Sequence, residues 1–372
     1  MVARGSLSSG WCHESSDPSY PLYREASIVV CGDVTHFWAD GIVCVIGALR
    51  GCGVIGASLR LLVRVSAVVL GLVLTAASAM SQSANGAAEA GSGWTSPRTA
   101  WGDPDMQGVW DYRTMTPLQR PREFSGKAVL SDEEAAAYTA RRLAEAADYD
   151  RSPSVHAKWW LDPGTSLTED KRTSLIVDPP DGRIPSLTAA AKRRNAARGE
   201  YRRAHPSDGA DNRGLSERCI SFGTPRLPGG YNNNYQILQT PSYVVIVSEM
   251  VHDTRVVPLD GRSFPDIAQW HGEARGSWEG DTLVIESTSF AAAGAFRGAT
   301  GGLRLTERFT RVGPDTIQYE ITADDPATWV SPWTLMFPME KTDQPMFEYA
   351  CHEGNYGLAN ILRNARLEEQ GR

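Results

Sequence analysis

The stretch TIQYEIT, residues 316–322, decides the fold class of this chain. Its apolar side chains Ile317, Tyr319 and Ile321 alternate with polar ones. Such a period of two puts the apolar residues on one face of a β-strand and the polar residues on the other. The stretch WTLMF, residues 333–337, repeats the pattern. The alternation therefore predicts half-buried strands of an antiparallel sheet.

Turn residues separate further strands of this kind. Gly280-Asp281 and Gly313-Pro314-Asp315 are typical of hairpin turns. Phe347, Tyr349 and Cys351 alternate in the same way and predict the last strand. Between Tyr235 and Glu353 we count about eight or nine strands, a density typical of all-β folds. We therefore predict a mainly β protein with an antiparallel barrel or sandwich.

Other patterns surround the strands. Ser131 and Glu134 form a capping box ahead of a helix that runs to about Ala147. A basic helix is predicted from Thr188 to Arg203, with its charges on a solvated face or in contact with an anion. We thus expect a partly helical and irregular segment, 101–230, that wraps a β domain, 231–372, closed by a short helix over 357–369.

The first part of the chain reads as a targeting segment. Arg60 and Arg64 precede an apolar run from Val65 to Thr75, and Ala77-Ser78-Ala79 is a small-x-small cleavage site. This order is typical of a secretory signal peptide over 60–79. We therefore expect an upstream mis-start over 1–59, cleavage near Ala79, a flexible leader over 80–100, and a periplasmic or secreted bacterial protein without a stable membrane anchor.

Charge and motifs exclude several classes of protein. The net charge of −7 argues against a nucleic-acid partner. Beyond residue 79 the chain has no GxGxxG or Walker pattern for a nucleotide and no CxxCH for haem. We therefore predict no cofactor. A zinc site built from His252, His271, His352 and a carboxylate would be an alternative, but no HExxH-like spacing supports it, so we predict no metal.

Two of the six cysteines, Cys219 and Cys351, lie beyond the predicted signal peptide. Two cysteines in an exported chain are best explained by one disulfide. A catalytic thiol is the alternative that remains.

Two histidines beyond residue 79 are followed directly by a carboxylate and are the predicted catalytic groups. These pairs are His252 with Asp253 and His352 with Glu353. Histidine transfers protons near neutral pH, and a carboxylate orients it. Because adjacent strand residues point to opposite faces, such pairs would have to form between segments or at strand ends.

A polar-aromatic string, YNNNY over 231–235, is the predicted binding element. Its amides can bind a sugar or a carboxylate, and its phenol rings can stack on a ligand. An Asx-rich turn leading into a strand is the alternative. The predicted substrate-binding residues are Asn232, Asn233, Asn234, Tyr235, Arg255, Trp270, His271 and Arg275.

Other hydrolytic mechanisms leave weaker signals. Four acids in predicted strands could supply the paired carboxylates of a glycosidase. They are Glu249, Glu286, Glu307 and Glu348. Ion pairs with Arg255, Arg304 and Arg308 would explain them equally well. The sequence has no GxSxG elbow and no conspicuous serine, so it does not indicate a Ser-His-Asp hydrolase.

Four strings carry a resemblance to a large family of exported bacterial proteins to which no activity is assigned. They are YNNNYQILQTPSYVVIVSEMVHDTRVVPLDGR, GSWEGDTLVIESTSF, LTERFTRVGPDTIQYEIT and FEYACHEGNYGLANIL. The resemblance, from about Pro104 onward, implies export and one shared fold. Gly108-Val109-Trp110, the strands and the last helix also resemble a lipocalin-like barrel, although the motif lies far ahead of most strands.

These patterns favour two functions. The first is an exported hydrolase or lyase that uses His/carboxylate acid–base chemistry on a small polar or sugar-like substrate. The alternative is a periplasmic β-barrel that binds a small apolar or aromatic ligand, and a structural envelope protein is a third hypothesis. We expect the site in one polar cleft lined by His252, His352 and Asn232–Tyr235.

Overall fold

A computed structural model describes residues 94–149, 162 and 164–371. The predicted upstream segment 1–59, the predicted signal peptide 60–79 and most of the predicted leader 80–100 lie outside the described residues, so these assignments remain predictions.

The described residues form a mainly β protein, as predicted. Ten strands make one antiparallel sheet. They are β1 (Gly108–Asp111), β2 (Ile176–Asp178), β3 (Asn234–Gln239), β4 (Tyr243–Ser248), β5 (Thr254–Pro258), β6 (Glu273–Glu279), β7 (Thr282–Thr288), β8 (Arg304–Arg311), β9 (Thr316–Asp324) and β10 (Trp333–Thr342). The strand order is β5-β4-β3-β1-β10-β9-β8-β7-β6, and β2 also pairs with β10.

Two strands come from the segment that was expected to wrap the β domain. β1 lies in the middle of the sheet, where Val109 pairs with Gln236 of β3 on one side and with Thr342 of β10 on the other. β2 pairs with an earlier part of β10, at Leu335. The sheet is therefore not confined to residues 231–372.

The alternation that predicted β9 also sets its packing. Every second residue of β9, from Ile317 to Ala323, is buried. Tyr319 lies opposite Phe337 of β10 and Phe309 of β8, and its ring stacks on that of Phe309 with centroids 4.2 Å apart. Because each of these strands buries one face, the core lies inside the curved sheet.

The two edge strands, β5 and β6, come close without hydrogen bonds between them, so the sheet is not closed by hydrogen bonding. Gly276 of β6 makes this approach possible. A Cβ atom at Gly276 would lie 2.7 Å from Leu259 Cδ2 and 3.0 Å from Val257 Cγ1. Side-chain packing, rather than a strand ladder, therefore joins the two edges.

Three helices lie in the described residues: α1 (Asp132–Tyr149), α2 (Ala189–Ala204) and α3 (Gly357–Glu369). The capping box predicted for α1 forms, since Ser131 Oγ accepts from the Glu134 N–H and Glu134 Oε2 accepts from the Ser131 N–H. Thr188 caps α2. None of the described helices is long and apolar enough to cross a membrane.

The predicted strand over Phe347, Tyr349 and Cys351 does not form. The sheet ends with β10, and residues 343–356 contain no strand. Phe347 is 67% exposed. Alternation produces a strand only where a neighbouring strand can form hydrogen bonds with its backbone groups. Here the Phe347 N–H donates to the Glu249 carboxylate instead, and Cys351 is held by its disulfide with Cys219. We call residues 343–356 the strap.

Candidate functional site

A cleft of about 1040 Å³ opens at one end of the sheet. Three strands meet at the floor of the cleft. Asp111 at the end of β1 pairs with Asn234 at the start of β3. The Asn234 carbonyl accepts a hydrogen bond from the Glu249 N–H, just after β4. The strap and the start of α3 form the facing wall. Residues from four separate stretches therefore converge on one site.

The lining is mainly acidic, amide and aromatic. Its carboxylates are Asp111, Asp162, Glu217, Glu249, Glu348 and Glu353. Its amides include Asn232, Asn233 and Asn234, and its rings are Phe222, Tyr231, Phe347 and Tyr349. Arg113 is the one arginine or lysine among these lining residues.

Glu249 is the most buried of the cleft acids, with 5% of its surface exposed. Its Oε2 accepts from Asn234 Nδ2 at 2.9 Å, and its Oε1 accepts from the Phe347 N–H at 3.3 Å. These two donors, one from β3 and one from the strap, hold the carboxylate in a fixed orientation. Glu348 is exposed and comes from the strap itself.

The YNNNY string divides between the cleft and the scaffold. Asn233 is buried, with its amide bonded to the carbonyls of Asp162 and Gly229 and to the Gly229 N–H. The Tyr235 hydroxyl accepts from the Arg226 N–H at 2.7 Å, and burial raises the pKa of Tyr235 to about 12. Tyr235 is therefore a core residue and not a binding residue of the cleft. Asn232 and Asn234 remain available at the cleft.

Aromatic rings form one wall. Tyr231 and Tyr349 lie parallel with centroids 6.4 Å apart, and Phe222 meets Tyr349 edge-on at 5.6 Å. Burial raises the pKa of the Tyr349 phenol, and the adjacent Tyr231 raises it further. The wall thus presents ring faces beside hydroxyl groups.

The disulfide holds this wall in place. Cys219 and Cys351 are joined as predicted, with Cα atoms 5.6 Å apart. Asn355 Nδ2 also donates to Cys219 Sγ at 3.1 Å. The link ties the strap to the segment that carries Phe222, so it shapes the cleft directly.

The predicted pair of His252 and Asp253 does not form. Val251 and His252 both take positive φ, 58° and 45°, which reverses the chain after β4. His252 is left exposed, whereas Asp253 turns inward. Its carboxylate instead accepts from Ser221 Oγ at 3.0 Å and from the Phe222 N–H at 3.2 Å.

The predicted pair of His352 and Glu353 does not form either. Both side chains are exposed, and neither makes a side-chain hydrogen bond among the described residues. Glu353 lines the cleft, but His352 does not, and His252 does not. The two neighbouring side chains therefore do not form a hydrogen-bonded pair.

No sequence pattern predicted a role for Ser221, which joins Asp253 to His271. Ser221 Oγ lies 2.7 Å from His271 Nε2 and accepts from the Gly223 N–H at 2.8 Å. His271 Nε2 lies 3.5 Å from Asp253 Oδ2. Asp253 and His271 lie 32 and 50 positions from Ser221 along the chain, so no local motif reveals the cluster.

This Ser221 cluster differs from a catalytic triad. In a triad the carboxylate binds Nδ1 and the serine binds Nε2, whereas here both face Nε2. Ser221 Oγ donates to Asp253 and accepts from the Gly223 N–H while it also contacts His271, so three partners hold the hydroxyl in place. The cluster therefore fixes the position of Phe222 in the cleft wall.

The other predicted binding residues also lie away from the cleft lining. Arg255 faces the core and forms a buried ion pair with Glu307. Arg275 donates to the carbonyls of Arg262 and Ser263 and so fixes a loop. Trp270 lies in the loop before β6 and is 41% exposed.

Among the described residues, no group of three or more His, Cys, Asp or Glu could hold a metal ion. Comparison with known proteins adds no assignment: no family model matches this chain, and no curated protein or solved structure is significantly similar to it.

Proposed function

We propose that this protein is an exported enzyme that hydrolyses a glycosidic bond of a saccharide bound in the cleft. One observation carries the proposal. Of the four acids that the sequence placed in strands as possible paired carboxylates, Glu249 and Glu348 line the same cleft. Glu307 is held in the core by Arg255, and Glu286 lies 3.7 Å from Arg304 on the exposed surface.

The two carboxylates suit the two roles that glycoside hydrolysis needs. Glu348 is exposed and can turn to give a proton to the leaving glycosidic oxygen. Glu249, fixed by Asn234 and Phe347, would act at the anomeric carbon as the second carboxylate. The bond between that carbon and the oxygen breaks, and water supplies the new hydroxyl group and restores the proton. No histidine takes part in this scheme.

The remaining lining supports recognition of a sugar. Asn232 and Asn234 offer amides to ring hydroxyl groups, and Tyr231 and Tyr349 offer ring faces to the sugar's C–H groups. The cleft volume is at the upper end of the usual range for small-ligand sites. The interior of the sheet is filled by side chains such as Trp110 and Tyr319, so the open cleft is the better place for a ligand.

Export is part of the proposal and is supported by the disulfide. Disulfides persist in oxidising compartments and are rare in the cytosol. The Cys219–Cys351 link therefore agrees with the signal peptide expected over residues 60–79.

The test is a screen of purified mature protein against oligosaccharides and chromogenic glycosides, beside Glu249→Gln and Glu348→Gln. Each variant keeps the side chain's size and removes its charge. We expect at least a hundredfold loss of kcat in each, since acid–base groups contribute about 10²–10⁴-fold. Saccharide binding without turnover would replace the enzyme with a binding protein, and the absence of both would overturn the proposal.

Three control variants separate this scheme from the histidine hypothesis. Glu286→Gln removes an exposed strand acid outside the cleft, and His252→Asn and His352→Asn remove the two exposed histidines. All three should retain wild-type kcat. A hundredfold loss in either histidine variant would return the catalytic role to that residue.

A further inference from the structure

We propose that the saccharide carries a free, protonated amine, so that the cleft selects hexosamine units over neutral or N-acetylated sugars. This inference rests on the proposed function and concerns the charge of its substrate. The cleft volume, a buried acid and the aromatic wall carry it together.

The cleft's carboxylates exceed the cationic groups that could balance them. Arg113 pairs with both Asp111 and Asp162, and Glu217 pairs with Arg213 at 2.7 Å. The three remaining acids have no arginine, lysine or histidine nitrogen within 4.0 Å among the described residues. These acids are Glu249, Glu348 and Glu353.

Glu249 supports a cationic ligand most strongly, because it is 95% buried and has no cationic partner among the described residues. Its two protein donors, an amide and a backbone N–H, are neutral. A buried charge is costly unless it is paired as well as hydrogen-bonded. Since Glu249 lines the cleft, a ligand cation can supply that missing charge.

The aromatic wall suits the same ligand. A cation within about 6 Å of a ring face is attracted by the ring's electrons. The rings of Tyr231 and Tyr349 border the same cavity as Glu249, whereas the Phe222 ring already has the Arg226 guanidinium 5.7 Å from its centroid. A sugar that stacks on this wall would place an amine substituent between ring faces and carboxylates.

An N-acetylated sugar lacks the charge that the cleft carboxylates would attract. Acetylation removes the positive charge and leaves a neutral amide. An acidic sugar would add repulsion from Glu348 and Glu353. The ring, linkage and hydroxyl groups stay the same across the series, so charge alone distinguishes the ligands.

The experiment measures the Kd of three β-1,4-linked oligomers of equal length, built from glucosamine, N-acetylglucosamine or glucose. We expect the glucosamine oligomer to bind at least about tenfold more tightly than either other oligomer, as hydrogen bonds between charged groups exceed neutral ones. That advantage should shrink as salt is raised, because salt screens the attraction.

Variants then locate the selectivity. Glu249→Gln should reduce the glucosamine preference to about threefold or less, whereas the matched exposed variant Glu286→Gln should retain it. Equal or tighter binding of the N-acetylated or neutral oligomer would overturn the amine proposal and leave saccharide hydrolysis intact. Failure to bind all three oligomers, with no other saccharide bound or cleaved in the screen, would overturn both.

Discussion

Glu307 and Arg255 illustrate how burial sets the role of a single residue. Arg255 Nη1 and Nη2 lie 2.5 Å and 2.9 Å from the two carboxylate oxygens of Glu307, and Tyr319 donates to the same carboxylate. The ion pair raises the pKa of Arg255, and burial beside Glu307 raises that of Tyr319. Two residues with the right chemistry for an active site thus satisfy each other inside the core.

Replacing Arg255 with alanine should therefore strongly destabilise the protein. The change leaves Glu307 buried and without its cation, which typically costs about 3–5 kcal/mol. Urea unfolding of the variant measures the loss in the free energy of unfolding.

Arg304→Ala is the matched control for that measurement. Arg304 lies 3.7 Å from Glu286 on the surface, and an exposed pair contributes about 0–1 kcal/mol. Equal losses in the two variants would contradict a special role for the buried pair.

At the scale of elements, the strap and α3 differ from the rest of the structure. α3 buries no residue, and Arg366 anchors it by donating to the Ser207 carbonyl at 3.2 Å. The strap is held by the disulfide, by the Phe347 N–H on Glu249 and by the rings around Tyr349. A wall with so few anchors depends on its covalent link.

Removing the disulfide should therefore loosen the cleft as well as lower stability. The link closes a loop across 132 residues, which corresponds to at most about 5 kcal/mol in the chain-entropy model. We expect Cys219→Ser/Cys351→Ser to melt at a lower temperature and to show faster hydrogen exchange in residues 344–355.

Reductant provides the control for this prediction. It should lower the melting temperature of the wild-type protein and leave that of the double-serine variant unchanged. Equal exchange in the strap of both proteins would show that the disulfide does not hold the wall.

At the scale of the whole molecule, one continuous sheet supports the cleft. β1 lies between β3 and β10, so the segment before residue 231 helps to build the floor of the site. Truncation at the boundary expected from sequence would therefore remove a central strand. Residues 60–79 keep their prediction as a signal peptide, which rests on the sequence alone.

Exported protein should accordingly begin near Met80. The basis is the Ala77-Ser78-Ala79 site after the apolar run. N-terminal sequencing of material from the periplasm or medium tests it, and a mature N-terminus before residue 60 would contradict the prediction.

The sequence by itself determined the features that depend on near neighbours. The period of two in TIQYEIT predicted β9, the Ser131–Glu134 pair predicted the start of α1, and residues 357–369 predicted α3, because side-chain direction and capping act over a few positions. The pairing of Cys219 with Cys351 also followed, since they were the two cysteines beyond the predicted signal peptide.

Tertiary structure decided which polar residues meet. Asp253 follows His252 in sequence but binds Ser221, 32 positions away, because two left-handed residues turn the neighbours apart. Glu249 and Glu348 line the same cleft, whereas Glu307 is held in the core by Arg255. Such choices depend on which strands pair and which faces are buried, and sequence spacing does not carry that information.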